Sequence, residues 1–299
     1  MKFLTVCLNP VIQRTYILSA LHEDRVNRAL SYRVDASGKG INVTRVLHQL
    51  GEPVVHLTQA GGTFRDYFLA LVRQDGLQLE WVESQADIRT CCTLLNQGKH
   101  TSTEIVEEAR EVDPLTETRI RDRFQALLPQ IAMLILSGSK APGFSSQLFP
   151  WMVALAKKQG KTVLLDFRGP ELTASLPYVP DLIKPNRSEF VETFFPGESP
   201  PEEKEIVDRM LDLSHSGMEV VLTHGSAPVL AVRGGKLHSF PVPELTPVNT
   251  IGSGDAFAAG LASVWLETHD LLPAIHQGIR CAQQNALQLR PGVLHDDYL

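Results

Sequence analysis

The stretch at 249–255 reads NTIGSGD and runs directly into the apolar segment AFAAGLASVW at 256–265. The apolar run predicts a helix, and Gly252 and Gly254 just before it let the backbone turn its free N–H groups toward one point. The partial positive charge of a helix start suits the charge that develops on a transferring phosphoryl group. Asp255, at the helix start, could take a proton from an attacking hydroxyl. An ordinary N-cap aspartate after a glycine turn is the alternative interpretation.

A second glycine-rich stretch, ASGKGINV at 36–43, places a cation and an amide at the start of another predicted helix. Its small residues permit a ligand to approach the backbone closely. A generic junction between a loop and a helix would explain the glycines, but it would not explain why Lys39 and Asn42 accompany them.

The third stretch, LIKPNRSE at 182–189, is an apolar strand that stops at a proline. Asn186 and Glu189 lie three residues apart, so a helical turn would place them on one face. Such a pair could hold a hydrated Mg²⁺ ion, which prefers few direct protein ligands. The same spacing is also typical of a plain capping box.

Short apolar runs alternate with segments of helical periodicity through most of the chain. The runs that predict strands lie at 3–8, 54–58, 133–136, 162–165 and 220–223. Strands alternating with helices of this length predict an α/β fold with a mainly parallel sheet covered on both faces.

Two regions, 15–34 and 88–106, instead alternate apolar and polar residues. This pattern predicts antiparallel strands with one solvent-facing side. A small sheet assembled from both regions could stand over an active site as a lid. Two unrelated surface hairpins are the alternative.

The bulk composition excludes several classes of partner. The chain has 299 residues and a net charge of −6, so it lacks the global basic surface of a nucleic-acid binder. An anionic substrate must therefore meet a local cluster of Lys and Arg. The four cysteines form no CxxC pair, and no apolar run has the length of a membrane span or of a signal peptide core. These features predict a cytoplasmic protein with free thiols.

Taken together and in this order, the three stretches resemble the PfkB carbohydrate kinases, which carry GGKGxN, NxxE and DTxGAGD segments. The resemblance spans nearly the whole chain. Further stretches resemble the branch that holds 1-phosphofructokinases and tagatose-6-phosphate kinases, and these are LNP at 8–10, RT at 89–90, STEI at 102–105 and LSGS at 136–139. The resemblance implies a single ribokinase-like domain over 1–299, a three-layer α/β/α sandwich with a small β lid at about 12–35 and 88–108. It also implies ATP and Mg²⁺ as cofactors and a homodimer formed through the lid.

The family's functional residues transfer onto matching positions of this chain. Asp255 becomes the catalytic base, with Gly252, Ser253 and Gly254 as the anion hole. The positions that the resemblance assigns to nucleotide and metal are Lys184, Asn186, Glu189, Thr223, Gly225 and Asn285, with Asn186 and Glu189 holding the metal through water and Asn285 near the adenine. The positions that it assigns to the acceptor sugar and its phosphate are Gln13, Arg28, Gly38, Lys39, Asn42, Arg89 and Ser139.

The chain departs from the family pattern mainly at the acceptor end. Gln13 stands where the branch normally has Asp, and Ser37 replaces the first glycine of GGKGxN. Lys140 replaces the leucine of a usual Leu-Pro pair, and His224 replaces an apolar residue. We therefore expect a kinase of fructose 1-phosphate or tagatose 6-phosphate. The alternatives are a kinase of a non-phosphorylated sugar or nucleoside, and a non-catalytic sugar-phosphate sensor.

Overall fold

The computed structural model describes residues 1–197 and 199–295. The strands of this part of the chain are β1 (Phe3–Leu8), β2 (Val11–Leu18), β3 (Ser31–Ser37), β4 (Val54–Gly61), β5 (Leu79–Ser84), β6 (Arg89–Asn96), β7 (Thr101–Val106), β8 (Met133–Lys140), β9 (Thr162–Asp166), β10 (Leu182–Ile183), β11 (Glu219–Leu222), β12 (Val229–Arg233) and β13 (Lys236–Phe240). The helices are α1 (Lys39–Gln49), α2 (Arg65–Gln74), α3 (Pro114–Leu127), α4 (Leu148–Lys158), α5 (Pro170–Ser175), α6 (Arg187–Phe194), α7 (Glu203–Ser214), α8 (Ser253–Thr268) and α9 (Leu271–Ala286).

The large sheet has nine strands in the order β13-β12-β11-β10-β9-β8-β1-β4-β5. All neighbours from β5 to β11 pair in parallel, while β12 and β13 are antiparallel. Strand β1 lies between β4 and β8, and every residue of its run FLTVCL is buried. A continuous apolar run is what a parallel strand covered on both faces requires. The predicted, mainly parallel sheet is confirmed.

Helices cover both faces of the large sheet. Helices α3, α4, α6 and α7 contribute Phe124, Phe149, Phe190 and Met210 to the core on one face. Helices α1, α8 and α9 form the core on the other face, where α8 is buried on nearly every side. The molecule is therefore the predicted three-layer α/β/α sandwich.

The small sheet has the order β3-β2-β6-β7 and joins the two alternating regions of the sequence. Strands β2 and β6 pair along their whole length, from Val11 opposite Arg89 to Leu18 opposite Asn96. This pairing excludes two unrelated hairpins. It also corrects the expected strand direction, because β2 and β6 are parallel and only the pairs β2–β3 and β6–β7 are antiparallel. Alternation along one strand predicts which face is wet, but it does not specify the direction of the neighbour.

The remaining expectations concern cysteines and membranes. Cys7, Cys91 and Cys281 are buried, Cys92 is half-buried, and all four are free thiols as predicted. Among the described helices, none combines the length and apolar character needed to span a bilayer.

Candidate active site

The carboxyl ends of the parallel strands meet at one edge of the large sheet. Asn9 follows β1, Ser139 lies near the end of β8, Asp166 ends β9, Lys184 follows β10 and Thr223 follows β11. Ligands of open α/β sheets bind at this edge, where the strand order reverses. Strand β1 marks that point, because β4 and β8 flank it on opposite sides.

The predicted anion hole lies at the start of α8. Gly252 is the N-cap, and its φ of 81° is left-handed, a conformation that glycine adopts without steric cost. A Cβ atom there would lie 2.9 Å from the Cβ atom of Pro291, so the close packing of the C-terminal loop also requires glycine. A Cβ atom on Gly254 would lie 4.0 Å from Nζ of Lys184. A buried ammonium group therefore adds to the positive potential of the helix start.

Asp255 lies in the first turn of α8 and is only 6% exposed. Burial raises the pKa of its carboxyl group to about 7, the neighbouring charge of Lys39 opposes the rise, and the carboxylate of Asp166 adds to it. One carboxylate oxygen accepts a hydrogen bond of 2.8 Å from Nδ2 of Asn42. A base with a pKa near neutral pH is suited to accept a hydroxyl proton, because it is available in ionised form and is still basic.

Asn42 was expected to contact the sugar, and the structure directs one of its two amide hydrogens to Asp255. One amide hydrogen is left for a substrate hydroxyl. Asn285 was expected near the adenine, and this stays a prediction. Its side chain is fully buried, donates to the carbonyl of Ile251 and to Oγ of Ser253, and accepts from the amide of Gly292. It therefore braces the loop at the start of α8.

Lys39 was expected to contact the sugar, which stays a prediction, and the structure places its ammonium group beside two carboxylates. Its Nζ atom lies 2.6 Å from Glu189 and 3.6 Å from Asp166, on the nucleotide side of the site. Burial alone would lower the pKa of Lys39, but the carboxylates of Asp166, Glu189 and Asp255 raise it above its usual value. The sequence pattern showed the cation but not its partners, because these carboxylates lie more than 120 positions away along the chain.

Asn186 and Glu189 form the capping box that the spacing also allowed. Oδ1 of Asn186 accepts from the amide of Glu189 at 2.9 Å, and Oε2 of Glu189 accepts from the amide of Asn186 at 3.0 Å. Thr223 forms a bridge with Asn186, so the turn that contains Gly225 lies beside this helix start. The two nucleotide stretches predicted from the sequence are therefore neighbours. A cavity of about 550 Å³ opens next to them, lined in part by Arg187 and His224 and separate from the residues around Asp255.

The fit of a magnesium ion can be judged from the oxygen atoms at this edge. Among the described residues, no group of three or more His, Cys, Asp and Glu side chains could hold a metal. Two carboxylates, Asp166 and Glu189, nevertheless converge on one cation, the ammonium group of Lys39. Mg²⁺ keeps several waters and shares its coordination with substrate phosphates. The residues present fit a hydrated ion that Asn186 and Glu189 would hold through water.

At the acceptor end, Ser139 is exposed and its hydroxyl accepts from Nδ2 of Asn9 at 3.0 Å. Oδ1 of Asn9 is buried and has no hydrogen-bond partner among the described residues. Gly38, with a φ of 115°, packs against the carbonyl of Asn9 and begins α1. Arg89 begins β6, and its buried Nε atom likewise has no partner in the described part of the chain. Unpaired buried polar atoms carry an energetic cost, so they mark groups suited to bind a ligand.

Gln13 and Arg28 occupy opposite ends of the lid. Gln13 is 3% exposed and donates from Nε2 to Oγ1 of Thr93 at 2.7 Å, so it lies within the small sheet and does not point into solvent. Arg28 lies in the exposed loop between β2 and β3. The six residues of β3 between this loop and Ser37 span roughly 20 Å at about 3.3 Å per residue. The structure therefore does not bring Arg28 to the site within one chain.

Sequence reasoning missed two of the charges at this edge as functional candidates. Asp166 ends the run TVLLD, accepts from Oγ of Ser137 and pairs with Lys184 at 3.2 Å. Burial favours a higher pKa for Asp166, but Lys184 and Lys39 outweigh it and lower the pKa. A carboxylate directly after a buried parallel strand was the available signal. Lys140, the second missed charge, is buried, pairs with Glu171 and lies 4.9 Å above the ring of Phe149.

A buried carboxylate at a glycine-rich helix start and a strand edge that gathers ammonium groups are features suited to the transfer of a phosphoryl group. The family described as pfkB family carbohydrate kinase matches residues 5–293. The chain belongs to this family, whose members use ATP as the phosphoryl donor.

Solved structures show the same fold at low sequence identity. A possible 1-phosphofructokinase from Thermotoga maritima matches with a TM-score of 0.89 and 20% identity over 97% of this chain and 93% of the other. Phosphofructokinase-2 from Escherichia coli in complex with fructose-6-phosphate gives 0.86 and 19%, over 97% and 95%. Ribokinase from Arabidopsis thaliana, complexed with ribose and ATP, gives 0.74 and 16%, over 97% and 94%.

The pKa of Asp255 predicts how activity depends on pH. If Asp255 must be ionised to accept the hydroxyl proton, kcat should fall about tenfold per pH unit below about pH 7. Lys39 stays protonated over this range because its pKa is raised. Measurement of kcat from pH 5 to 9 at saturating ATP and sugar tests the expectation. A kcat that stays flat from pH 5 to 8 would contradict it.

Proposed function

We propose that this carbohydrate kinase transfers the γ-phosphate of ATP to a hydroxyl of a ketohexose phosphate, of the fructose 1-phosphate or tagatose 6-phosphate class. One observation carries the proposal. The buried carboxylate of Asp255 lies in the same helical turn as the amides that follow Gly252, with Nζ of Lys184 beside them. Phosphoryl transfer to an alcohol requires a group that accepts the hydroxyl proton and a group that binds the transferring anion. Asp255 and the first turn of α8 provide both groups at one place.

In this mechanism, Asp255 removes the proton of the acceptor hydroxyl while the first amides of α8 stabilise the charge on the transferring group. Lys184 adds a fixed positive charge at the same place. When bound, Mg²⁺ would neutralise charge on the ATP phosphates, and Asn186 and Glu189 would hold it through water. The turn at Thr223 supports placing the nucleotide beside α6.

The acceptor side of the proposal rests on Arg89 and Asn9. Both present buried polar atoms that lack partners in the described residues, at the base of the lid, where Val11 of β2 pairs with Arg89 of β6. A guanidinium group binds a phosphate dianion through two parallel hydrogen bonds, which suits a sugar that already carries a phosphate. The phosphofructokinases among the similar structures support the same class of acceptor.

We also propose that two copies of the chain associate through their lids. Exposed apolar side chains concentrate on the small sheet and its β2–β3 loop, namely Val26, Leu30, Tyr32, Ile105 and Val106. Exposed apolar side chains on the small sheet would leave water if two such sheets packed together, which favours association.

Replacing Asp255 with Asn tests the proposed base. We expect kcat to fall roughly 10²–10⁴-fold while binding of Mg–ATP, measured by calorimetry, changes little. Because folding raises the pKa of Asp255 toward 7, its ionised form destabilises the fold above that pH, so Asp255→Asn should keep or increase the melting temperature at pH 8. If the variant retains more than about a tenth of the wild-type kcat, Asp255 acts only as a helix cap and is not the base.

Replacing Arg89 with Ala tests the acceptor phosphate. A charge-assisted hydrogen bond is worth about 1.5–3 kcal/mol, so the KM for the phosphosugar should rise roughly 10–150-fold and the KM for ATP should stay constant. Arg65→Ala is the control, because Arg65 forms only surface ion pairs.

The same assay over a panel of acceptors separates the alternatives. Turnover of fructose 1-phosphate, tagatose 6-phosphate or fructose 6-phosphate supports the proposal. If the enzyme prefers an unphosphorylated sugar or a nucleoside, and Arg89→Ala has no effect, the acceptor is not a ketohexose phosphate and the proposed acceptor class is wrong. Binding of sugar phosphate without any turnover would indicate a sensor.

Replacing Tyr32 with Asp tests the lid interface. Light scattering should give twice the chain mass of 33.1 kDa for the wild type and a mass close to one chain for Tyr32→Asp. A charge desolvated at an interface weakens association strongly. Leu115→Asp, at an equally exposed leucine on α3, should leave the dimer intact. A monomeric wild type would contradict the proposal.

A further inference from the structure

The amide of Asn42 is held in one of its two orientations. Its Oδ1 atom accepts from Oγ of Ser37 at 3.2 Å and from Nη1 of Arg45 at 3.1 Å, while its Nδ2 atom donates to Asp255 at 2.8 Å. Ser37, Asn42 and Arg45 are each no more than 4% exposed. Ser37 and Arg45 therefore both bind the amide oxygen of Asn42, and the amide nitrogen of Asn42 binds the carboxylate of Asp255.

The two donors at Oδ1 determine which end of the amide faces Asp255. The oxygen and nitrogen of an amide have nearly the same shape but opposite hydrogen-bonding roles, and a guanidinium group can only donate. A flipped amide would place its NH₂ group against Arg45 and its oxygen against the carboxylate. Both contacts would be repulsive, and the proton donor to Asp255 would be lost.

Arg45 is itself fixed by elements that surround the site. Its Nη2 atom donates to the carbonyl of Ala36 at the base of the lid, and its Nη1 atom also donates to the carbonyl of Pro291, the residue that packs against Gly252. Asp75, the C-cap of α2, accepts from its Nε and Nη2 atoms. Arg45 thus contacts the lid, the loop behind the anion hole and the amide that orients the base.

Two further ion pairs, both made by Arg290, connect this group of residues to the lid. Arg290 of the C-terminal loop pairs with Asp75 and, at 2.7 Å, with Asp35 of β3. Burial lowers the pKa of Arg45 and so does the charge of Arg290, but Asp75 and Asp35 oppose the change. The carboxylates make this group of buried cations tolerable, since an unpaired buried charge is strongly destabilising.

We propose that Ser37 and Arg45 are positioning residues. They hold the amide of Asn42 in one orientation, and this amide holds the Asp255 carboxylate in a fixed position relative to the base of the lid. This proposal rests on the role of Asp255 as the base. It also gives a function to Ser37, which stands where the family pattern GGKGxN has its first glycine. The other charged groups that act on Asp255 are Lys39, Asp166 and Lys184, and none of them is touched by the substitutions below.

The test is a double-mutant cycle with Ser37→Ala, Asn42→Ala and the variant that carries both. Loss of one hydrogen bond corresponds to a decrease of roughly 3- to 10-fold in kcat for Ser37→Ala, with an unchanged KM for ATP. Because the bond from Asn42 lowers the pKa of Asp255, the acid limb of kcat should also move to higher pH. In the Asn42→Ala background, Ser37→Ala should have no further effect on either quantity.

Matched controls separate positioning from stability. Ser175→Ala removes an equally buried hydroxyl, one that donates to the carbonyl of Glu171 away from the site, and it should leave kcat unchanged. Arg45→Lys keeps a cation for Asp75 but loses the separate hydrogen bond that Nη1 donates to Oδ1 of Asn42, and its kcat should fall roughly 10- to 100-fold. Arg123→Lys, in a surface ion pair with Glu80, is its control.

Each outcome separates this proposal from the proposed function. If Asp255→Asn is inactive and Ser37→Ala equals the wild type in kcat and in pH profile, the positioning role is wrong and the base is retained. Equal effects of Ser37→Ala with and without Asn42 would also overturn it, because Ser37 would then act by another route. If Asp255→Asn remains active, Asp255 is not the base, and both the proposed mechanism and the positioning role that rests on it are wrong.

Discussion

The proposed chemistry depends on keeping one carboxylate, Asp255, out of water at the start of a buried helix. Burial disfavours its ionised form and raises its pKa toward neutrality, which is the range that a general base needs. The opposing interactions come from Lys39 and Asn42 of α1 and from Lys184, which follows β10. Bringing these elements to one point requires the carboxyl ends of the parallel strands to meet at a single edge, so the topology of the large sheet serves the electrostatics of the site.

The same edge holds a nearly balanced set of charges, of which Asp166, Lys184 and Glu189 are buried and Lys39 is half-buried. Lys39 and Lys184 both approach Asp166, and Lys39 also pairs with Glu189. Balanced pairs limit the cost of desolvating each charge, since an isolated charge at this depth would be strongly destabilising. They also keep positive groups oriented before a substrate arrives, which avoids reorganisation at the moment of phosphoryl transfer. The net charge of the protein is negative, so an anionic substrate requires a local group of cations, and Lys39 and Lys184 form such a group.

The lid makes the acceptor end depend on pairing between distant parts of the chain. Parallel pairing of β2 with β6 brings Arg89 beside Val11, next to the end of β1. The same pairing buries Gln13 against Thr93. Cross-strand neighbours on a sheet are set by register, so a shift of one residue would exchange the two faces of every strand. The proposed acceptor end thus depends on the register of the small sheet, and the proposed phosphoryl-transfer end on the helix start of α8.

The sequence by itself determined the features that depend on neighbouring residues. Gly252 is required by a left-handed turn, the run FLTVCL by burial on both sides, and the capping box of Asn186 by its three-residue spacing. These are local constraints, which a short stretch carries in full. Only the tertiary structure decided that Lys39 pairs with Glu189, 150 positions away, and that Asn42 orients Asp255 across 213 positions. It also buried Asn285 behind the anion hole and left Arg28 at the far end of the lid. Partners of buried charges and amides are set by packing between distant segments, and no local pattern encodes that packing.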